Sequence, residues 1–262
     1  MVQMGDEFNL SLAIMINKIR MILADNNPSI YLYGSVTTND FKLGWSDIDI
    51  LVLTTQEISE QQAEKLVDLR QKLLVQRPDN QYFRLFEGGM LSFNAFFNRE
   101  KSRTVYWGTS GERITDHYEL DSFGIMELLE NGVLLYGADL RQHFTKLTYD
   151  QLHQAVIHHY ETIRNHGKQG WGWLLDIARC IYTLKTGKII AKTTAGDWAL
   201  KSKICPVPDT LQKALQVRKE PLIYKEHPDY KNQSTTLEPE IQKFADVLEQ
   251  AILGVDENAT NL

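Results

Sequence analysis

No apolar run in this sequence approaches the roughly 18 consecutive residues that a spanning helix needs, so no membrane segment is expected. The start, Met1 to Glu7, lacks the basic and apolar regions of a signal peptide, and the expectation is a soluble, cytoplasmic protein. Cysteine is scarce. Cys180 and Cys205 stand far apart with no C-x-x-C pair, which argues against a disulfide scaffold or a thiolate zinc site and for a reducing compartment. No G-x-x-x-x-G-K-[ST] occurs, so a P-loop is excluded. Clustered basic residues are missing as well. Residues 1–140 hold 12 Lys/Arg against 20 Asp/Glu, a net of −8, while residues 141–262 hold 16 against 14, a net of +2. Without a basic surface to neutralise phosphates, nucleic acid is not the expected partner. The acidic half suits a cationic small molecule, and ordinary surface acidity explains the same count.

The chain has enough to build one large core or two small ones: 262 residues, 43% hydrophobic and 24% charged. Phe8, Leu12, Met15, Ile16, Ile19 and Leu23 recur at three- and four-residue steps, which predicts an amphipathic helix over 7–24. Short apolar strands are expected at Ile30–Tyr33 and Ile48–Leu53, with a helix over 57–76 between the second strand and a third extended region at 81–97. Gly88-Gly89 interrupts that region as a hairpin turn or a bulge. Another helix is placed at 122–131. After about residue 140 strand patterns vanish and helices are expected near 148–165, 171–186, 194–203, 209–219 and 238–253. Gly187 is a C-terminal cap, Thr194 and Asp197 form a helix-start pair, and Asp256–Leu262 is expected to fray. The fold class is therefore α+β. Residues 1–140 form a domain with a mixed β-sheet flanked by helices, and residues 141–262 form an α-helical bundle domain.

The densest chemical signal is Leu32-Tyr33-Gly34-Ser35, followed by Asp47-Ile48-Asp49-Ile50. Two aspartates separated by one strand residue point to the same face, so their carboxylates can share a hard divalent cation, and the spacing favours Mg²⁺. A Gly-Ser turn after a strand brings backbone N–H groups and a hydroxyl up to phosphate oxygens. A phosphate-binding turn beside a metal-binding strand describes a nucleoside triphosphate site. Either half alone is common as a turn or strand-end feature; the conjunction is not.

This order of strand, Gly-Ser, linker and Asp-x-Asp resembles the signature of the polymerase-beta-like nucleotidyltransferase superfamily. A second stretch, Arg179-Cys180-Ile181-Tyr182-Thr183-Leu184-Lys185-Thr186-Gly187-Lys188 on to Lys192 and then Ala195-Gly196-Asp197-Trp198-Ala199, resembles the C-terminal domain of the aminoglycoside O-nucleotidyltransferases that adenylylate streptomycin and spectinomycin. The resemblance is clear over residues 28–55 and 171–200. It implies a Mg²⁺-dependent enzyme that moves AMP from ATP to a hydroxyl of a small, cationic, aminoglycoside-like acceptor, in the manner of an antibiotic-resistance enzyme. It further implies that Asp47 and Asp49 bind magnesium, that Gly34 and Ser35 hold the triphosphate, and that Lys192 contacts phosphate.

A third carboxylate is expected in such enzymes on a later strand, as metal ligand or as general base. Glu87 in Arg84-Leu85-Phe86-Glu87 is the natural match, whereas a register set by Leu91 to Phe96 would put Asn94 there. Asparagine could neither take a proton nor bring negative charge to a metal. The family's acidic cluster for the antibiotic is absent: Lys168-Gln169-Gly170-Trp171-Gly172-Trp173 stands in its place. Trp171, Trp173 and Trp107 are candidates to stack on a substrate, with core packing as the plainer reading. Asp116, Glu119 and Asp121 could supply the missing acid, or serve the start of the helix at 122. His153, His158, His159 and His166 lack H-x-x-x-H spacing and read as surface or core residues. No G-x-S-x-G elbow surrounds Ser35, so a serine hydrolase is a poor reading, and Cys180 reads as packing. Two alternatives remain open: an adenylyltransferase acting on a protein or RNA, and a nucleotide-binding scaffold without turnover, which Asn94 in the third position would support.

Overall fold

The structure, a computed structural model, describes residues 4–109 and 111–254. Asp256–Leu262 lies outside the described residues. By contacts the chain divides into two units. One runs to Asn39 and resumes over Ser46–Lys146; the other takes the short segment Asp40–Trp45 and the described residues from Leu147 onward. The expected α+β class is the one adopted, although the division is not a single cut along the sequence: six residues of the first half belong with the helices.

The first unit is a six-stranded mixed sheet. Its strands are β1 (Ser29–Tyr33), β2 (Ile48–Thr54), β3 (Phe86–Ser92), β4 (Thr104–Gly108), β5 (Gly111–Thr115) and β6 (Val133–Tyr136), in the spatial order β5-β4-β3-β2-β1-β6. Only β2 and β3 run parallel, joined by the crossover helix α2 (Glu60–Gln76), as a parallel pair requires. Alternation along the central strands sorts the two faces. Tyr31, Tyr33, Leu51, Leu53 and Leu91 gather on one side with Leu120 and with Leu128 of α4 (Ser122–Asn131). The intervening residues Ile30, Ile48, Ile50, Val52 and Met90 are also fully buried, so the centre of the sheet is covered on both faces. Helix α1 (Asp6–Ile22) buries Phe8, Met15, Ile16 and Ile19 at helical spacing. Ser59 starts α2 with a full capping box to Gln62.

Two expectations in this unit are corrected. The region 81–97 is not one extended stretch, because β3 ends at Ser92, whose side chain caps a short helix α3 (Phe93–Asn98) by accepting from the Ala95 N–H at 3.3 Å. Gly88-Gly89 is neither a hairpin nor a bulge. Both residues lie inside β3, in unbroken parallel register with Ile50 and Leu51. Gly88 has φ +142° and a Cβ there would strike the Ile50 carbonyl, while a Cβ on Gly89 would enter the Tyr118 ring. The β4–β5 hairpin was not foreseen, since its two strands have five residues each and β5 has no fully buried residue.

The second unit is helical: α5 (Tyr149–His166), α6 (Gly172–Thr186), α7 (Lys192–Lys201), α8 (Pro208–Lys219), two short helices α9 (Pro221–Tyr224) and α10 (Pro228–Ser234), and α11 (Glu238–Ile252). Helix α6 is the centre of the bundle, packing on α5, α7, α8 and α11. Its Leu174, Leu175, Ile177, Ala178, Cys180, Ile181 and Leu184 are all buried. Gly187 ends it at φ +67°, as expected of a glycine cap. The Thr194/Asp197 start is corrected: α7 begins two residues earlier, after Ala191, and Asp197 pairs instead with Lys219 at 2.9 Å.

Candidate functional site

At the C-terminal end of β1 the chain turns sharply. Gly34 has φ +73°, and its carbonyl accepts from the N–H groups of Thr37 and Thr38 at 3.2 Å and from both threonine hydroxyls. A Cβ on Gly34 would fall on the Asp49 carboxylate. The turn is therefore pressed against that acid, and only glycine fits. Ser35 reaches across to the Asp47 carbonyl, its Oγ donating at 3.5 Å.

Asp49 sits on β2 with a polar row around it. Tyr33 is its partner across the antiparallel β1–β2 pair, and Glu87 its partner across the parallel β2–β3 pair. Direct partners share a face at the strand spacing of roughly 4.8 Å, so Asp49 and Glu87 present carboxylates side by side. Asp47 lies just before β2. Asn94 is elsewhere, exposed on α3 and outside the strand. Among the described residues no group of three His, Cys, Asp or Glu is arranged to hold a metal ion, so the acids do not form a preset cage.

Tyrosines complete this corner. The Tyr106 hydroxyl donates to Glu87 Oε1 at 2.8 Å, and the Tyr33 and Tyr118 hydroxyls are 3.5 Å apart. Burial first, then the hydrogen bond to Glu87, pushes the Tyr106 phenol up to about 12, with Asp47 adding to the effect. Burial also raises Tyr33 and Tyr118 well above the usual phenol range, and the Asp49 charge adds to both. All three phenols thus stay protonated beside the carboxylates. Sequence reasoning missed Tyr106 and Tyr118, because β4 and the loop carrying Tyr118 bear no local motif.

In the helical unit, Lys192 is the first residue of α7. Its ammonium is bound to Asp176 of α6, at 2.9 Å from Oδ1 and 3.0 Å from Oδ2. Arg179 lies 3.4 Å from the same carboxylate. Burial works to raise the Asp176 carboxyl, but the Lys192 and Arg179 charges outweigh it and hold the group below its ordinary range. A short polar chain fixes the start of α7. Asp40 accepts from the Thr193 N–H at 3.3 Å and pairs with Arg218 at 2.6 Å, and Arg218 Nε donates to Thr193 Oγ1 at 3.1 Å. Asp40 and Arg218 are 5% and 3% exposed, which makes this a buried ion pair. Asp176 and Asp40 were not foreseen either; for Asp176, a lone acid within the apolar helix α6 was the available signal.

Several of the remaining candidates are taken up by packing or by surface pairs. Trp107 is fully buried and donates to the Leu66 carbonyl at 3.1 Å, and Trp171 is 5% exposed, so neither offers a face for stacking. Asp121 caps α4, Asp116 pairs with Lys101 and Glu119 with Arg99. His153 contacts the Ile252 carbonyl at 3.3 Å. Cys180 and Cys205 are buried and not joined in a disulfide. A cavity of about 390 Å³ opens at the opposite end of the strands, beside Ser29, Thr54 and Tyr136, with no charged side chain in its lining. No helix among the described residues is long and apolar enough to cross a membrane.

Comparison with known proteins agrees with this arrangement. Residues 16–102 match the family described as nucleotidyltransferase domain, and residues 143–250 match the aminoglycoside adenylyltransferase C-terminal domain. The chain is 25% identical over 210 residues to a spectinomycin 9-adenylyltransferase of Enterococcus faecalis, covering 71% of this chain and 79% of the relative. The crystal structure of the spectinomycin adenyltransferase AAD(9) from the same organism, with ATP and spectinomycin, has the same fold: the TM-score is 0.65 at 16% identity, over 92% of this chain and 99% of that one. A nucleotidyltransferase domain carrying the Gly-Ser turn and the paired strand carboxylates, followed by that C-terminal domain, makes this chain an aminoglycoside adenylyltransferase-like member of the nucleotidyltransferases.

Proposed function

We propose that the protein transfers AMP from ATP to a hydroxyl of a small, cationic aminoglycoside acceptor and releases pyrophosphate, in the cytoplasm. The observation that carries the reading is the register Tyr33–Asp49–Glu87, with Gly34 pressed against Asp49 at the edge of that row. The Gly34-Ser35 turn would receive the triphosphate through backbone N–H groups and the Ser35 hydroxyl. Lys192 would supply a cation to the phosphates, and its present partner Asp176 supports the reading by orienting its side chain. The cytoplasm suits an enzyme that needs ATP and keeps its two cysteines out of a disulfide.

Magnesium fits the donors present. Asp47, Asp49 and Glu87 offer hard carboxylate oxygens, and Mg²⁺ is ordinarily held by one or two carboxylates with substrate phosphates and waters filling the other positions, so a preset cage of three is not required. Bound there, the ion would neutralise charge on the phosphates. Glu87 would accept the proton of the acceptor hydroxyl as its oxygen attacks the α-phosphorus and the bond to pyrophosphate breaks. The three neutral tyrosines would exclude water without adding charge of their own. The negative balance of residues 1–140 would favour a cationic acceptor. Asn94, which would have supported the scaffold alternative in the third position, lies on α3 outside β3.

The test is acceptor-dependent pyrophosphate release with a panel of aminoglycosides, spectinomycin and streptomycin included. Release should stop on chelation of divalent cations and return with Mg²⁺, and Asp49→Asn should abolish it at moderate Mg²⁺. Wild-type release by Asp49→Asn, or release only with protein or RNA acceptors, would overturn the reading.

A further inference from the structure

We propose that Tyr106 is the positioning residue for the general base: its hydroxyl holds Glu87 Oε1 and so fixes the carboxylate for proton transfer through Oε2. The inference rests on the assignment of Glu87 as base. Two independent features of the sheet support it.

The first is the contact. Tyr106 lies on β4 opposite Gly89, on the same face as Glu87, and donates to Oε1 at 2.8 Å. A glutamate carries three side-chain torsions, and a carboxylate free to rotate would spend little time aimed at one proton. One charge-assisted hydrogen bond removes that freedom. The Tyr106 ring is itself held, with the Arg113 guanidinium 4.4 Å from its centroid and the Tyr118 ring at 5.8 Å.

The second is the space made for the rings. A Cβ on Gly108 would strike the Tyr106 ring and lie 2.6 Å from its hydroxyl, and a Cβ on Gly89 would enter the Tyr118 ring. At both places the sheet gives up a side chain so that a tyrosine can lie flat across it toward the carboxylates. A packing tyrosine alone would not need its hydroxyl directed at an acid.

Tyr106→Phe removes one oxygen and keeps the ring. Misplacing a reacting group by about 1 Å can cost roughly 10²-fold, so kcat should fall about 10- to 100-fold while KM for ATP and the melting temperature stay near wild type. In the Glu87→Gln background the same change should cost nothing further, because no base remains to be aimed. Gly108→Ala is the second variant. It crowds the hydroxyl out of line with every polar group retained, and it should lower kcat in the same way. Wild-type kcat in a folded Tyr106→Phe, or an equal loss with and without the Glu87 carboxylate, overturns the inference. Wild-type activity of Glu87→Gln would overturn the base assignment itself, and the two failures are told apart by that variant alone.

Discussion

Gly34 shows how little freedom single positions have at this site. Its φ of +73° already disfavours any side chain, and the Cβ of an alanine would land on the Asp49 carboxylate. Gly34→Ala should therefore destabilise the fold by more than about 1 kcal/mol, since neither the backbone nor the acid can yield without disturbing β1 or β2. The thermal shift given by Mg-ATP should shrink with it, and a variant with wild-type melting and wild-type ATP shift would contradict the placement of the turn. Gly34, Ser35, Asp47 and Asp49 were legible in the sequence because they crowd into sixteen positions around two strands. Glu87 was legible only as one of two registers. The choice depended on whether β3 could run through two glycines, and it can because Gly88 meets the Ile50 carbonyl and Gly89 the Tyr118 ring. Tyr106 was not legible at all, since what matters about it is a partner on another strand.

At the scale of elements, the start of α7 is set by residues far apart in sequence. Lys192 leads the helix, Thr193 follows, and Asp40 and Arg218 close on Thr193 from either side. Removing one member of a buried pair leaves the other charge without compensation, which costs about 3–5 kcal/mol. Asp40→Ala should lower the urea midpoint accordingly and should raise KM for ATP through a displaced Lys192. A shift under about 1 kcal/mol would mean that solvent replaces the carboxylate, and would contradict its burial. Long helices were legible within one or two residues because their apolar spacing repeats over several turns: α5, α6, α8 and α11 begin and end close to where the pattern does. The early start of α7 was not, because Asp40 stabilises its first turn from outside the local sequence. Nor were β4 and β5, where five residues hold too little alternation to stand out.

For the whole molecule, both units rely on carboxylates held below their ordinary range. Burial works to raise Glu112, but Arg70, buried beside it, outweighs it; the Arg141 hydrogen bond brings Asp139 down to about 2; and Asp176 is held low by Lys192 and Arg179 against its burial. A carboxyl with a folded value below its unfolded one, roughly 4, adds stability that is present above that pH and lost as pH falls through the folded value. The urea midpoint should be flat from pH 7 to 5 and drop steeply between about pH 4 and 2. A midpoint unchanged down to pH 3 would contradict these pairings. The central claim is that β2 and β3 place a metal-binding carboxylate and a general base side by side. The rate of aminoglycoside-dependent pyrophosphate release by Glu87→Gln at saturating Mg-ATP tests it most directly. The predicted result is a fall of roughly 10²–10⁴ with the stabilisation by ATP retained, the usual size of a lost general base. A Glu87→Gln enzyme that releases pyrophosphate at the wild-type rate would contradict it.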